Sequence, residues 1–122
     1  MGHFIPMCRP VDALEEAGHE VVMFTNKFNS EKVTKFARSN GIKARLMFPD
    51  SITRDQLIQG KEMTRKYLGQ GVCEIIDEFK PAIAAEKPDI IVCDFVSGFG
   101  AHVADELGIP CVIEAPAPLR IL

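Results

Sequence analysis

Two residues of this sequence have side chains suited to moving a proton. His3 lies in the segment Gly-His-Phe-Ile-Pro at positions 2–6, and Asp94 ends the segment Pro-Asp-Ile-Ile-Val-Cys-Asp at positions 88–94. Histidine accepts protons near neutral pH. A carboxylate paired with it orients the imidazole and stabilises its protonated form. If the fold brings the two side chains together, they form a general base and its acidic partner.

Each of these residues also has a purely structural interpretation. A histidine this close to the start of a sequence is equally typical of a frayed terminus. Asp94 precedes a predicted helix that begins near Gly98, and capping of that helix is the slightly better interpretation from one sequence alone. The segment Ser-Gly-Phe-Gly at 97–100 can cradle an anion, but it lacks the third glycine of a dinucleotide fingerprint. Close packing explains these glycines better, and His19 and His102 are expected to be structural.

The composition is that of one soluble domain. The chain has 122 residues, 47% hydrophobic and 25% charged, which is enough for a single core. A net charge of −3 gives no electrostatic reason to expect nucleic acid or an anionic membrane as partner. No apolar run reaches the ~18 residues of a membrane span. We therefore expect a cytoplasmic α/β domain that does not bind nucleic acid.

The four cysteines are expected to be buried, reduced thiols. They contain no C-x-x-C pair, and each lies among apolar neighbours; they are Cys8, Cys73, Cys93 and Cys111. A disulfide or metal site is the weaker interpretation. We further expect Cys93 and Cys111 to be buried in neighbouring strands.

Apolar periodicity predicts helices and strands in alternation. Helices are predicted over 5–17, from 29 or 30 to 40, from a capping box at Thr53 and Gln56 to a restart or kink at Pro81, and over 98–107. Strands are predicted over 20–25, 42–48, 88–94 and 111–114. Gly18 is predicted to stop the first helix in the left-handed conformation, and Gly108 is predicted to stop the last helix. Such alternation indicates a Rossmann-like open parallel sheet flanked by helices, which binds ligands beyond the carboxyl ends of its strands.

Two blocks of the sequence resemble the UDP-glycosyltransferase family with the GT-B fold. Positions 2–6 and Gly-His-Glu-Val-Val-Met-Phe-Thr at 18–25 resemble the opening turn and following strand of that family. Positions 88–94 and Ala-x-x-Leu-Gly-Ile-Pro at 104–110 resemble a second family segment. The match covers nearly the whole chain in the right order.

The resemblance implies one Rossmann-like domain over the whole chain, the N-terminal, acceptor-binding half of an inverting hexosyltransferase. Such an enzyme transfers a sugar from a nucleotide-sugar co-substrate, usually a UDP-sugar, to the hydroxyl of a small-molecule acceptor, without a metal or other cofactor. By this resemblance His3 is the general base and Asp94 its partner. Phe4, Phe95 and Ser97 then line the acceptor pocket.

Two departures from the family pattern qualify this expectation. Only Met1 precedes Gly2, where the family has a hydrophobic strand. The sheet is therefore expected to lack its first strand, which preceding residues, a partner chain or a swap within a homo-oligomer would supply. The donor-binding half is also absent from the sequence. As a fragment or one subunit of a split transferase, the chain alone is expected to be inactive.

Two other functions are weighed against the transferase. A non-catalytic binding or scaffold subunit of a split glycosyltransferase would keep the fold without the donor site. A receiver-like signalling domain has a similar length and a strand that ends in an aspartate, as at Asp94. It also needs an acidic pair after its first strand and a lysine after its last, where this chain has Glu114-Ala-Pro. The receiver is the weakest of the three interpretations.

Overall fold

The computed structural model describes residues 4–49, 71–94 and 98–115. In these ranges the helices are α1 (Phe4–Glu16), α2 (Ser30–Ser39), α3 (Gly71–Glu86) and α4 (Phe99–Leu107), with a short 3-10 helix, Lys27–Asn29, before α2. The strands are β1 (Val22–Phe24), β2 (Arg45–Met47), β3 (Ile91–Asp94) and β4 (Cys111–Glu114). Their alternation with the helices confirms the α/β class. None of these helices combines the length and apolarity needed to cross a bilayer.

The described strands form two parallel pairs. β1 pairs with β2, so that Val22 lies opposite Arg45. β3 pairs with β4, so that Ile91 lies opposite Cys111 and Asp94 lies opposite Glu114. Parallel neighbours cannot be joined by a hairpin, so the connection from β3 to β4 runs through α4. Among the described residues, no strand joins one pair to the other.

Glycine caps end the helices at the positions that the sequence predicts. After α1, the backbone N–H of Gly18 donates to the carbonyl of Glu15, and that of His19 donates to Leu14, both at 3.0 Å. These two bonds form a Schellman motif, and the same pair of bonds follows α2 and α4. Gly18 has a φ of +90°, which confirms its left-handed stop, and Gly108, which ends α4 as predicted, is also left-handed with a φ of +67°.

The observed strands are shorter than the predicted ones. β1 and β2 have three residues each, whereas the apolar runs predict strands over 20–25 and 42–48. A strand is paired only where it overlaps its neighbour. Apolar residues beyond the overlap therefore add to the interior without extending the ladder, as Val21 and Ile42 do.

A restart or kink is predicted at Pro81, and the restart is wrong. Pro81 lies inside the continuous helix α3, although a proline removes one helical hydrogen bond and crowds the preceding turn. The neighbouring Phe79 and Ile83 are only 2% and 6% exposed, so their burial holds the helix together on both sides of the proline. The predicted capping box at Thr53 and Gln56 lies outside the described residues.

Two hydrophobic clusters form the interior. The first joins α1, α2 and the β1–β2 pair and contains the buried residues Cys8, Val11, Met23, Ala37, Ile42 and Ala44. The second joins α3 and α4 and contains Phe79, Ile83 and Val103, with Ile91 of β3 packed against it. Phe24 of β1 also packs on this second cluster, its ring centroid 6.4 Å from that of Phe79. Arg45 of β2 forms an ion pair with Glu86 at the end of α3.

Helix α4 lies directly against β3 at Gly100. A Cβ atom at this position would lie 2.8 Å from the Cβ of Cys93, whereas carbon atoms pack at about 3.5–4.0 Å. Gly98, which precedes the helix, has open space around it. The close packing predicted for these glycines is therefore confirmed for Gly100.

Replacing Gly100 by alanine is expected to destabilise the domain by about 1–3 kcal/mol, because the added methyl group overpacks the contact with Cys93. This loss should exceed the roughly 1 kcal/mol that alanine gains over glycine inside a helix. Gly98→Ala is the matched control, and its cost should stay below about 1 kcal/mol. Urea unfolding of both variants measures the difference. Equal losses would contradict the tight contact.

Candidate functional site

The carboxyl end of β3 carries Asp94, one of the two residues that the sequence singled out. Asp94 is 8% exposed, and it is the last residue of the strand. A carboxylate this buried is costly unless other polar groups compensate for the lost water. Its location at the carboxyl end of a parallel strand is where α/β sheets bind ligands. The predicted placement of Asp94 is thus confirmed, while its chemical role remains a prediction.

A second carboxylate lies beside Asp94. Glu114 stands opposite it in the β3–β4 ladder, and opposed residues of parallel strands project to the same face of the sheet. Glu114 is partly buried, and its Oε2 is enclosed without accepting a hydrogen bond from the residues described. Val112, two residues earlier on the same face, is 49% exposed. Two carboxylates therefore share one edge of the sheet, next to a surface that solvent reaches.

Sequence reasoning pointed to the carboxyl ends of the strands but did not name Glu114. The sequence feature that could have identified Glu114 is that two predicted strands each end in an acidic residue, Asp94 and Glu114. The register that makes them neighbours is set by the way α4 packs on β3 and returns the chain to β4. A sequence pattern alone does not provide that register.

The opposite face of the same strand pair carries two thiols. The Sγ atoms of Cys93 and Cys111 are 3.6 Å apart, and both cysteines are free, as is Cys8. The prediction of reduced thiols is confirmed for these three, and the side chain of Cys73 lies outside the described part of the chain. Cys93 is buried as predicted, but Cys111 is only partly buried. The difference arises because β4 has its described partner on one side only, and its Ile113 is 57% exposed.

Burial dominates the acid–base behaviour of Cys93. Desolvation, followed by the hydrogen bond with Cys111, raises the pKa of the Cys93 thiol to about 11. Burial alone raises the pKa of Cys8. A raised thiol pKa disfavours the thiolate, which is the nucleophilic form. Cys93 therefore stays protonated at neutral pH.

Phe4, predicted to line the acceptor pocket, is partly buried at the start of α1. Its ring lies 6.1 Å from that of Phe36 in an edge-to-face arrangement, and it packs against the first hydrophobic cluster. Asp94 ends a strand whose Ile91 packs on the second cluster. Phe4 thus packs on the first cluster, whereas Asp94, on the face of β3 opposite to Ile91, is part of neither cluster. His3, Phe95 and Ser97 lie outside the described residues, so their predicted roles remain predictions.

The other two histidines, His19 and His102, are exposed. His19 follows α1. His102 pairs with Glu106 one turn along α4, at 3.0 Å. The pKa of Glu106 is lowered mainly by a hydrogen bond from Lys80, with a smaller contribution from His102. In the described ranges, no group of three or more His, Cys, Asp or Glu side chains is arranged to hold a metal ion.

No protein-family model and no curated protein matches the chain. The motifs quoted above and the geometry of the β3–β4 edge are therefore the basis for any functional conclusion.

Glu114→Gln is expected to stabilise the domain by roughly 0.5–1 kcal/mol, because like charges opposed across two strands repel and an amide adds hydrogen-bond donors beside Asp94. Chemical unfolding at neutral pH measures the change. Asp12→Asn, at an exposed position of α1, controls for the loss of one negative charge. A Glu114→Gln protein no more stable than the wild type would contradict the carboxylate pair.

Cys93 is expected to make the domain sensitive to alkali. The pKa of its thiol rises from the ordinary 9.0 to about 11 on folding, so the folded state holds this proton more tightly. The resulting stabilisation is complete below the unfolded pKa and is lost as the pH rises through the folded one. Its steepest slope is about 1.4 kcal/mol per pH unit. Unfolding measured across this window should show a steeper loss for the wild type than for Cys93→Ala, and parallel profiles would rule the effect out.

Proposed function

We propose that this chain is the acceptor-binding half of an inverting glycosyltransferase that moves a sugar from a UDP-sugar to an acceptor hydroxyl. The observation that carries the proposal is Asp94, a carboxylate 8% exposed at the carboxyl end of a parallel strand. That edge of an α/β sheet is where ligands bind. In the proposal this carboxylate steadies the imidazole of His3, which precedes α1 in the sequence.

The proposed reaction is a single displacement at the anomeric carbon of the donor sugar. The acceptor oxygen forms the new glycosidic bond while the bond from that carbon to the nucleoside diphosphate breaks, which inverts the configuration. His3 takes the proton of the acceptor hydroxyl through one ring nitrogen. Asp94 accepts a hydrogen bond from the other, which fixes the tautomer and stabilises the imidazolium. Such a base contributes about 10²–10⁴-fold in rate, and the positioning of donor and acceptor provides much of the remainder.

The same proposal specifies the fold as a Rossmann-like half of a GT-B enzyme. One further parallel strand between β1 and β3 would join the two observed pairs into a five-stranded sheet with right-handed crossovers. Helix α1 would then be the crossover into β1. The contact of Phe24 with the second cluster supports such an arrangement, because it already joins the interiors of the two pairs. A strand at this location would also satisfy the backbone groups along the free edges of β1 and β3.

The donor site requires a second domain in this proposal. Transfer needs a nucleotide-sugar bound opposite the acceptor, and the described residues contain one interior built around two strand pairs. The partner is therefore a donor-binding domain, carried on the same polypeptide or on another chain. By itself the chain binds the acceptor and does not turn over.

The test is sugar transfer by the chain joined to a nucleotide-sugar-binding domain, followed through release of UDP with a panel of hydroxyl acceptors. His3→Ala should lower turnover by about 10²–10⁴-fold, and UDP-sugar binding should be retained. Asp94→Asn should lower turnover through the same imidazole. His19→Ala, at an exposed position after α1, is the matched control and should remain active.

Near-normal turnover of His3→Ala would show that His3 is not the general base. If transfer were also insensitive to Asp94→Asn, the catalytic group would have to lie elsewhere. The absence of transfer by the wild type with every acceptor, despite tight acceptor binding, would favour a non-catalytic binding subunit.

A further inference from the structure

The thiols of Cys93 and Cys111 form a close pair that the proposed sugar transfer does not use. Their Sγ atoms are 3.6 Å apart, on the face of the β3–β4 pair opposite to Asp94 and Glu114. Cys8 provides a contrast within the same chain. It is also buried, but its Sγ donates to the backbone carbonyl of Phe4 at 3.4 Å. A pair of neighbouring sulfurs can undergo an exchange that a single buried thiol cannot.

The two thiols differ in accessibility. Cys93 lies beneath α4, where Gly100 approaches it so closely that a Cβ would be 3.5 Å from its Sγ. Cys111 begins β4 and is only partly buried. A small oxidant therefore reaches Cys111 first. Cys93 keeps its proton at neutral pH because its pKa is raised to about 11, so it can donate an S–H hydrogen bond to a thiolate on Cys111.

We propose that Cys93 and Cys111 form an oxidisable dithiol, in which Cys111 reacts with hydrogen peroxide and Cys93 then closes a disulfide between β3 and β4.

Both steps balance in atoms and electrons. The Cys111 thiolate attacks one peroxide oxygen, the O–O bond breaks, and hydroxide leaves while the sulfur becomes a sulfenic acid. The Cys93 sulfur then attacks the Cys111 sulfur, the S–O bond breaks, and hydroxide leaves as water with the Cys93 proton. Together, two thiols and one peroxide become one disulfide and two water molecules. The sulfurs are oxidised and the peroxide is reduced.

The register makes this bond reversible. Cys93 lies opposite Ile113, and Cys111 lies opposite Ile91, so the cysteines are diagonal neighbours. Diagonal neighbours in a sheet have Cα atoms about 7–8 Å apart, whereas disulfides prefer about 4.4–6.8 Å. Closing the bond must therefore move the backbone at these cysteines. Strained disulfides are reduced more readily than relaxed ones, so thiols such as glutathione should restore the pair.

The experiment treats the native full chain with hydrogen peroxide, blocks the remaining thiols after unfolding, and cleaves after glutamate. Cleavage at Glu106 separates the two cysteines, so a bridge appears as two linked peptides that together lack two hydrogen atoms. We expect this species in the wild type, with Cys8 still free and with loss of the bridge on reduction. Oxidation of Cys111 without a bridge, or a bridge that forms only after unfolding, would overturn the proposal.

Single substitutions test the order of the steps. In Cys93→Ser, peroxide should oxidise Cys111 first to the sulfenic acid and then to the sulfinic acid, because no second thiol reacts with the sulfenic acid. In Cys111→Ser, loss of the Cys93 thiol should slow by at least about tenfold, because the buried thiol reacts poorly as a nucleophile. Cys8→Ser is the matched control and should form the bridge at the wild-type rate. Unchanged oxidation of Cys93 in Cys111→Ser would contradict the assigned order.

Discussion

The approach of α4 to β3 at Gly100 is the contact on which the geometry of both side-chain pairs depends. A Cβ at this position would lie 2.8 Å from the Cβ of Cys93, so only glycine lets the helix lie so near the strand. The helix then returns the chain beside β3 with Asp94 opposite Glu114. A shift of one residue in that return would move every side chain of β4 to the other face. One β-α-β unit therefore brings the carboxylates together on one face and the sulfurs on the other.

The alternation of side chains along β3 also separates two kinds of chemistry. Cys93 projects beneath α4, where burial favours a neutral thiol and raises its pKa. Asp94, the next residue, projects to the opposite face beside Glu114. Helix α4 covers Cys93 on the thiol face, although Ile113 on that face is 57% exposed, and Val112 on the carboxylate face is 49% exposed. Consecutive residues of one strand therefore meet two different environments.

Local chemistry explains which parts of the fold could be predicted from the sequence. The glycine stops after α1 and α4 and the apolar periodicity of the helices are properties of short segments, and those predictions are confirmed. Strand length depends on overlap with a neighbour, so apolar runs overestimate β1 and β2. The continuity of α3 through Pro81 depends on the burial of Phe79 and Ile83, which only the tertiary packing reveals. Asp94 was predictable because a strand ending in an acid is visible in sequence, whereas its neighbour Glu114 depends on register.

The backbone of β3 links the two proposals. Cys93 and Asp94 are consecutive, so a bridge that moves the backbone at Cys93 must also move the carboxylate that the transferase proposal pairs with His3. A general base tolerates little displacement, because a misplacement of about 1 Å can cost 10²-fold in rate. If both proposals hold, peroxide should inhibit sugar transfer reversibly in the wild type. Cys111→Ser cannot form the bridge and should escape this inhibition. If only the dithiol proposal holds, the bridge forms and no transfer is affected, so the two ideas fail separately.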